Sequence, residues 1–152
     1  MPESIVGRFS SDFRLQHPFC MLVSGTSGSG KTTLVRNFIE KDGIKGVIRE
    51  IHFFLPQWEE QNLNLPPHQQ VFIHEGLPTK EWISKTWTTK TTNKDTLFVI
   101  DDQWHEALRQ NTCQMLGSWA RSHLGISTIF VTQYYYQQGT SSQIMKFCPF
   151  FI

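Results

Sequence analysis

The stretch Phe19-Cys20-Met21-Leu22-Val23-Ser24-Gly25-Thr26-Ser27-Gly28-Ser29-Gly30-Lys31-Thr32-Thr33 runs from an apolar strand through a glycine-rich turn into a helical pattern. Gly25, Gly30, Lys31 and Thr32 occupy the fixed positions of a phosphate-binding P-loop. Glycines let the backbone curl until successive N–H groups point inward at phosphate oxygens, and the helix beginning near Gly30 aims its positive end at the same place. The spacing therefore predicts that Gly25, Thr26, Ser27, Gly28, Ser29, Gly30, Lys31, Thr32 and Thr33 cradle a nucleoside triphosphate. Lys31 would reach the β- and γ-phosphates, and the Thr32 hydroxyl would join the shell of a magnesium ion. A flexible glycine-serine turn is the plain alternative, but it does not account for Gly-Lys-Thr at a helix start directly after a buried strand.

Working outward, Leu34, Val35, Phe38 and Ile39 share one face of the helix after the loop, which stops at Asp42-Gly43. Val47 to Leu55 reads as a strand closed by Pro56. Gln57 to Gln70, with Pro66-Pro67, reads as a loop, and Val71 to His74 as a short strand. A helix is predicted from near Thr79 through Trp82, Ile83 and Trp87. Leu97-Phe98-Val99-Ile100 is a continuous apolar run ending in Asp101-Asp102, the pattern of a strand buried on both faces. Helical segments follow through Trp104, Leu108, Met115 and Trp119, and Ile126 to Val131 is another buried strand ending at Thr132-Gln133. Strands alternating with helices predict a three-layer α/β domain with a mainly parallel central sheet, the P-loop NTPase architecture.

The length of 152 residues, 39% of them hydrophobic, suits one domain with a sizeable core. Met1 to Pro18 lacks a clear period and is expected to be a lead-in strand or loop. His17 and Phe19 stand where they would either stack on adenine or simply pack. A formal charge of +1 supplies no global field for nucleic acid or an anionic membrane, which excludes a histone-like binder but not a motor. Cys20, Cys113 and Cys148 are widely spaced, with no zinc pattern, and read as idle thiols of a reducing compartment. No apolar run approaches the roughly 20 residues of a membrane span, so a soluble location in virion, nucleus or cytoplasm is expected and no membrane partner. The apolar end Phe147 to Ile152 needs burial, as expected of a fragment, of a short chain, or of one that completes its sheet against a partner.

Parallel sheets gather ligands at the carboxyl ends of their strands, so the P-loop, Asp101-Asp102 and Gln133 should converge. Asp101 is the expected Walker B carboxylate, anchoring magnesium through its water shell opposite Thr32. Asp102 is the candidate general base for the attacking water, with Glu106 as fallback. Gln133 suits a polar sensor of that water or of the γ-phosphate. Arg121, just ahead of the last strand, is placed to serve a neighbouring subunit as an arginine finger.

Cys20 to Ser24 running into the P-loop, Leu97 to Asp102, and Arg121-Ser122-His123-Leu124-Gly125-Ile126 through Thr132-Gln133 together resemble the poxvirus-type viral DNA-packaging ATPases of the FtsK/HerA class. The likeness spans roughly residues 17 to 138. It implies an ATPase that assembles as a homo-oligomeric ring and pumps double-stranded DNA into a capsid, with capsid or portal proteins as partners. It also implies ATP and magnesium as cofactors, with Lys31, Thr32, Asp101 and Gln133 at the family's phosphate, magnesium and sensor positions. The sequence departs from the family at Asp102, where pumping ATPases commonly carry glutamate. Lys80, Lys85, Lys90 and Lys94, set among threonines with Trp82 and Trp87, either face DNA phosphates in a ring channel or form a solvated helix and linker. Two other readings share the P-loop: a nucleotide or small-molecule kinase, disfavoured because no arginine follows Arg121, and a non-hydrolysing ATP-dependent assembly switch.

Overall fold

The computed structural model describes residues 3–4, 14–25, 30–87, 95–133 and 150–151. Five parallel strands form its centre: β3 (Cys20–Ser24), β5 (Glu50–Leu55), β6 (Gln70–Glu75), β7 (Thr96–Asp101) and β8 (Ile126–Thr132). Their spatial order is β3-β8-β7-β5-β6, and every pairing is parallel. Beyond β3 the sheet gains two short parallel strands, β9 (Phe150–Phe151) and then β1 (Glu3–Ser4). Phe150 and Phe151 thus pair with β3 of their own chain. A separate two-stranded pair joins β2 (Leu15–Gln16) to β4 (Ile44–Lys45).

Side chains alternate across the sheet with period two and feed two cores. Met21, Val23, Ile51, Phe53, Leu55, Leu97, Val99, Ile129 and Val131 point to one face, which is covered by α1 (Lys31–Glu40) through Val35 and Phe38. Cys20, Leu22, Phe54, Phe98, Ile100, Ile126 and Phe130 point to the other, under α2 (Lys80–Trp87), α3 (Trp104–Arg109), α4 (Thr112–Gln114), a π-helical stretch Met115–Ala120 and α5 (Arg121–Leu124). The three layers follow from the strand order. The chain crosses outward from β3 to β5 and returns from β6 to β7 and β8, so right-handed crossovers put the outward and returning helices on opposite faces.

Boundaries shift where local chemistry overrides pattern. The strand predicted from Val47 begins at Glu50, because the backbone turns at Gly46 (φ 132°) and Val47 is left 56% exposed. Phe19 is buried, edge-on to Phe38 with ring centroids 5.9 Å apart. His17 Nδ1 lies 2.5 Å from the Ser127 hydroxyl at the start of β8. Both residues sit at the amino edge of the sheet, opposite the phosphate end, so packing rather than adenine stacking is their role. Cys20 and Cys113 are buried free thiols. The loop from 56 to 69 joins parallel β5 to β6 without a helix, and its Leu63 and Leu65 pack on the α1 side.

Candidate nucleotide site

The carboxyl ends of three adjacent strands meet at one level. Ser24 is in register with Thr132, and Val131 with Asp101. Both flanking loops are tied to the end of β8: Gly25 N–H donates to the Thr132 carbonyl at 3.1 Å, and Asp102 N–H to the Val131 carbonyl at 2.9 Å. The strand that carries Gln133 is therefore wedged between the P-loop strand and the strand of the two aspartates. An open cleft of about 440 Å³ lies above them, lined by Gly30, Lys31, Thr32, Thr33, Asp101, Asp102, Val131, Thr132 and Gln133.

Each expected site residue can now be placed. Gly30 has φ 91°, a left-handed conformation natural only to glycine, and its carbonyl accepts the Leu34 N–H at 2.8 Å to open α1. As N-cap it brings no side-chain acceptor, and the first turn of α1 holds no acidic residue. A helix start of this kind suits an anion. Lys31 Nζ donates to the Gly25 carbonyl at 2.7 Å, which folds the side chain back over the loop. Thr32 and Thr33 are exposed to the cleft. Thr26, Ser27, Gly28 and Ser29 lie outside the described residues.

Asp101 is half-buried, and its carboxyl is held above the ordinary carboxylate range, first by burial and then by the charge of Asp102, with Glu59 adding to the effect and Lys31 opposing it. Asp102 is exposed with φ 54°, a left-handed backbone that aspartate tolerates better than most side chains. Thr32 and Asp101 offer oxygen donors on the same cleft wall, which fits a hard divalent cation. Among the described residues no group of three or more His, Cys, Asp or Glu could hold a metal by itself.

Two candidates lie elsewhere. Glu106 is partly exposed and bound by Arg109 (Nε to Oε2, 3.2 Å) and Gln110 (2.9 Å), hydrogen bonds that lower its pKa, and it does not line the cleft. Arg121 donates from Nε to the Gly117 carbonyl at 2.7 Å, on the helical segment that leads to the amino end of β8, away from its own chain's cleft. Of the four lysines considered for DNA, Lys85 pairs with Glu81 at 3.0 Å and Lys80 sits 4.8 Å from the Trp119 ring centroid. Lys90 and Lys94 lie outside the described residues.

Sequence reasoning passed over Gln103. Its amide donates to the carbonyls of Phe54 (2.9 Å) and Gly76 (3.1 Å), tying the ends of β5 and β6 to the exit from β7. Its only sequence signal was its place two residues after Asp101.

A parallel sheet with a helix start, a lysine and two strand-end carboxylates around one cleft defines the chain as a P-loop NTPase-like protein. Over residues 6–150 it matches the family described as Poxvirus A32 protein, and it belongs to that family of viral genome-packaging ATPases. No individual curated protein and no solved structure matches it. Membership brings ATP use and genome packaging as the general setting. No described helix is long and apolar enough to cross a membrane.

Proposed function

We propose that this chain is a magnesium-dependent ATP hydrolase that drives double-stranded DNA translocation during packaging, working as a homo-oligomeric ring docked to capsid or portal proteins. The observation that carries the reading is the convergence of Lys31, Thr32, Thr33, Asp101, Asp102 and Gln133 on one cleft at the carboxyl edge of the sheet.

Lys31 exchanges its bond to the Gly25 carbonyl for phosphate oxygens, placing positive charge where the transferring group gathers negative charge. The start of α1 binds the same phosphates through backbone N–H groups. Thr32 and Asp101 hold magnesium, which neutralises phosphate charge when bound. Asp102 and Gln133 form the polar wall facing the attacking water. Arg121, remote from its own cleft, would exchange its bond to the Gly117 carbonyl for the cleft of the next subunit, which is how a finger acts in trans.

The test is phosphate release by the purified chain with Mg-ATP across a protein concentration series, with and without double-stranded DNA, alongside Lys31→Ala. Release per subunit that rises with concentration and DNA, and falls at least 100-fold in Lys31→Ala, is the expected outcome. Release equal in the variant would refute the site, and consumption of a nucleoside acceptor would mark a kinase.

A further inference from the structure

The exit from β7 is held from both sides. Toward β8, the Asp102 N–H donates to the Val131 carbonyl at 2.9 Å. Toward β5, the Gln103 amide nitrogen donates to the Phe54 carbonyl at 2.9 Å and to the Gly76 carbonyl at 3.1 Å. With the strands in the order β8-β7-β5-β6, these bonds form a clasp from β8 across β7 and β5 to the end of β6. A primary amide carries two N–H donors, and two carbonyls take them here. The side chain therefore has one orientation, because turned over its oxygen would face both carbonyl oxygens.

Gln103 occupies the N-cap of α3, a position whose side chain commonly accepts an N–H of its own helix. It makes no such bond, and only its backbone serves the helix, the carbonyl accepting the Ala107 N–H at 2.8 Å. Its side chain reaches across the sheet instead. The turn it meets is already fixed: Gly76, with φ 82°, donates its N–H to the Leu55 carbonyl at 2.8 Å. Phe54 is in register with Ile100, so its carbonyl is anchored in the ladder beside β7.

Asp102 needs such a hold. It stands exposed on the cleft wall with φ 54°, a left-handed conformation that persists where the surroundings enforce it. The bond to Val131 fixes the residue on its nitrogen side, and Gln103, joined directly to its carbonyl, fixes it on the other. Release of the Gln103 side chain would let that turn relax and carry the Asp102 carboxylate with it.

We propose that Gln103 is a positioning residue of the ATP site: by clasping the Phe54 and Gly76 carbonyls, it holds Asp102 in the turn that presents its carboxylate to the attacking water. This rests on the ATP-hydrolase reading above.

The experiment compares the full chain with Gln103→Met, which keeps the length and removes the donor, with Gln103→Glu, and with Gln110→Met on the exposed end of α3 as control. Asp102→Asn is made alone and combined with Gln103→Met. Affinity for N-methylanthraniloyl-ATP is measured beside single-turnover cleavage of radiolabelled ATP. Gln103→Met is expected to slow cleavage about 10- to 100-fold with affinity within about threefold, the effect of displacing a catalytic group by about 1 Å. Gln103→Glu, which sets a carboxylate against two carbonyl oxygens, should lose more, and Gln110→Met should match the parent. In the Asp102→Asn background, Gln103→Met should cost less than about twofold, because the residue acts through Asp102. Cleavage by Gln103→Met equal to the parent's, or the same loss in both backgrounds, overturns the proposal and leaves the hydrolase reading intact. A parent that binds ATP without cleaving it refutes the hydrolase reading and the Gln103 proposal with it.

Discussion

Asp101→Asn should make the nucleotide-free protein more stable and its nucleotide complex less so. Burial and the charges of Asp102 and Glu59 hold the Asp101 carboxyl above its ordinary range, against the opposing charge of Lys31. An acid whose folded pKa is raised binds its proton more readily in the folded chain. The resulting cost is absent below the unfolded pKa, grows as pH rises through the folded pKa, and is fully present above it. Removing the charge while keeping the shape should therefore return about 0.5–2 kcal/mol above the folded pKa, the yield common for a single stabilising substitution. At about 2–4 °C per kcal/mol for a chain of this size, the Tm should rise by a few degrees. Ligand reverses the order. Mg-ATP at 100 times its Kd stabilises the parent by about 2.7 kcal/mol, whereas a tenfold affinity loss in the variant leaves about 1.4 kcal/mol at the same concentration. Thermal unfolding of both chains, with and without Mg-ATP and again with EDTA, reads all arms. A lower Tm for the nucleotide-free variant, or a Mg-ATP increment equal to the parent's, would refute the reasoning.

Gly43→Ala is expected to destabilise by about 1–3 kcal/mol, because the new Cβ would stand 2.4 Å from the Phe38 ring and 2.6 Å from the Phe38 carbonyl oxygen, and the backbone atom has no rotamer to yield with. A denaturant midpoint within experimental error of the parent would contradict that packing. Burial, reinforced by Cys20, pushes the Cys113 thiol well above its ordinary pKa. Iodoacetamide at pH 8 should therefore leave Cys113 unmodified in the native protein and label it once the chain is unfolded, as peptide mass mapping would report.

The layered fold was legible where burial on both faces writes itself into composition. Leu97 to Ile100 had to be a central strand, and Gly30-Lys31-Thr32 could only open a helix after Cys20 to Ser24. The pairing of β8 between the P-loop strand and the Asp101 strand made Gln133 readable too, since a strand end fixes its next residue at the sheet's rim. What escaped depends on contacts remote in sequence. Gln103 acts through the carbonyls of Phe54 and Gly76, residues 49 and 27 positions away in the chain. The π-helical turns of Met115–Ala120 were equally hidden. Apolar spacing over six residues does not separate them from an ordinary helix, although the change in rotation decides where Arg121 ends up.

The bare start of α1 has a consequence for a working assembly. A helix whose first turn has neither a capping side chain at Gly30 nor an acidic residue should gain order when an anion settles on it. Order at that end of the subunit is then a function of occupancy, so amide exchange at Lys31, Thr32 and Thr33 should slow on loading and quicken after release. In the ring proposed above, stiffness itself would then circulate from subunit to subunit, with the emptied one the most compliant link in the chain of force.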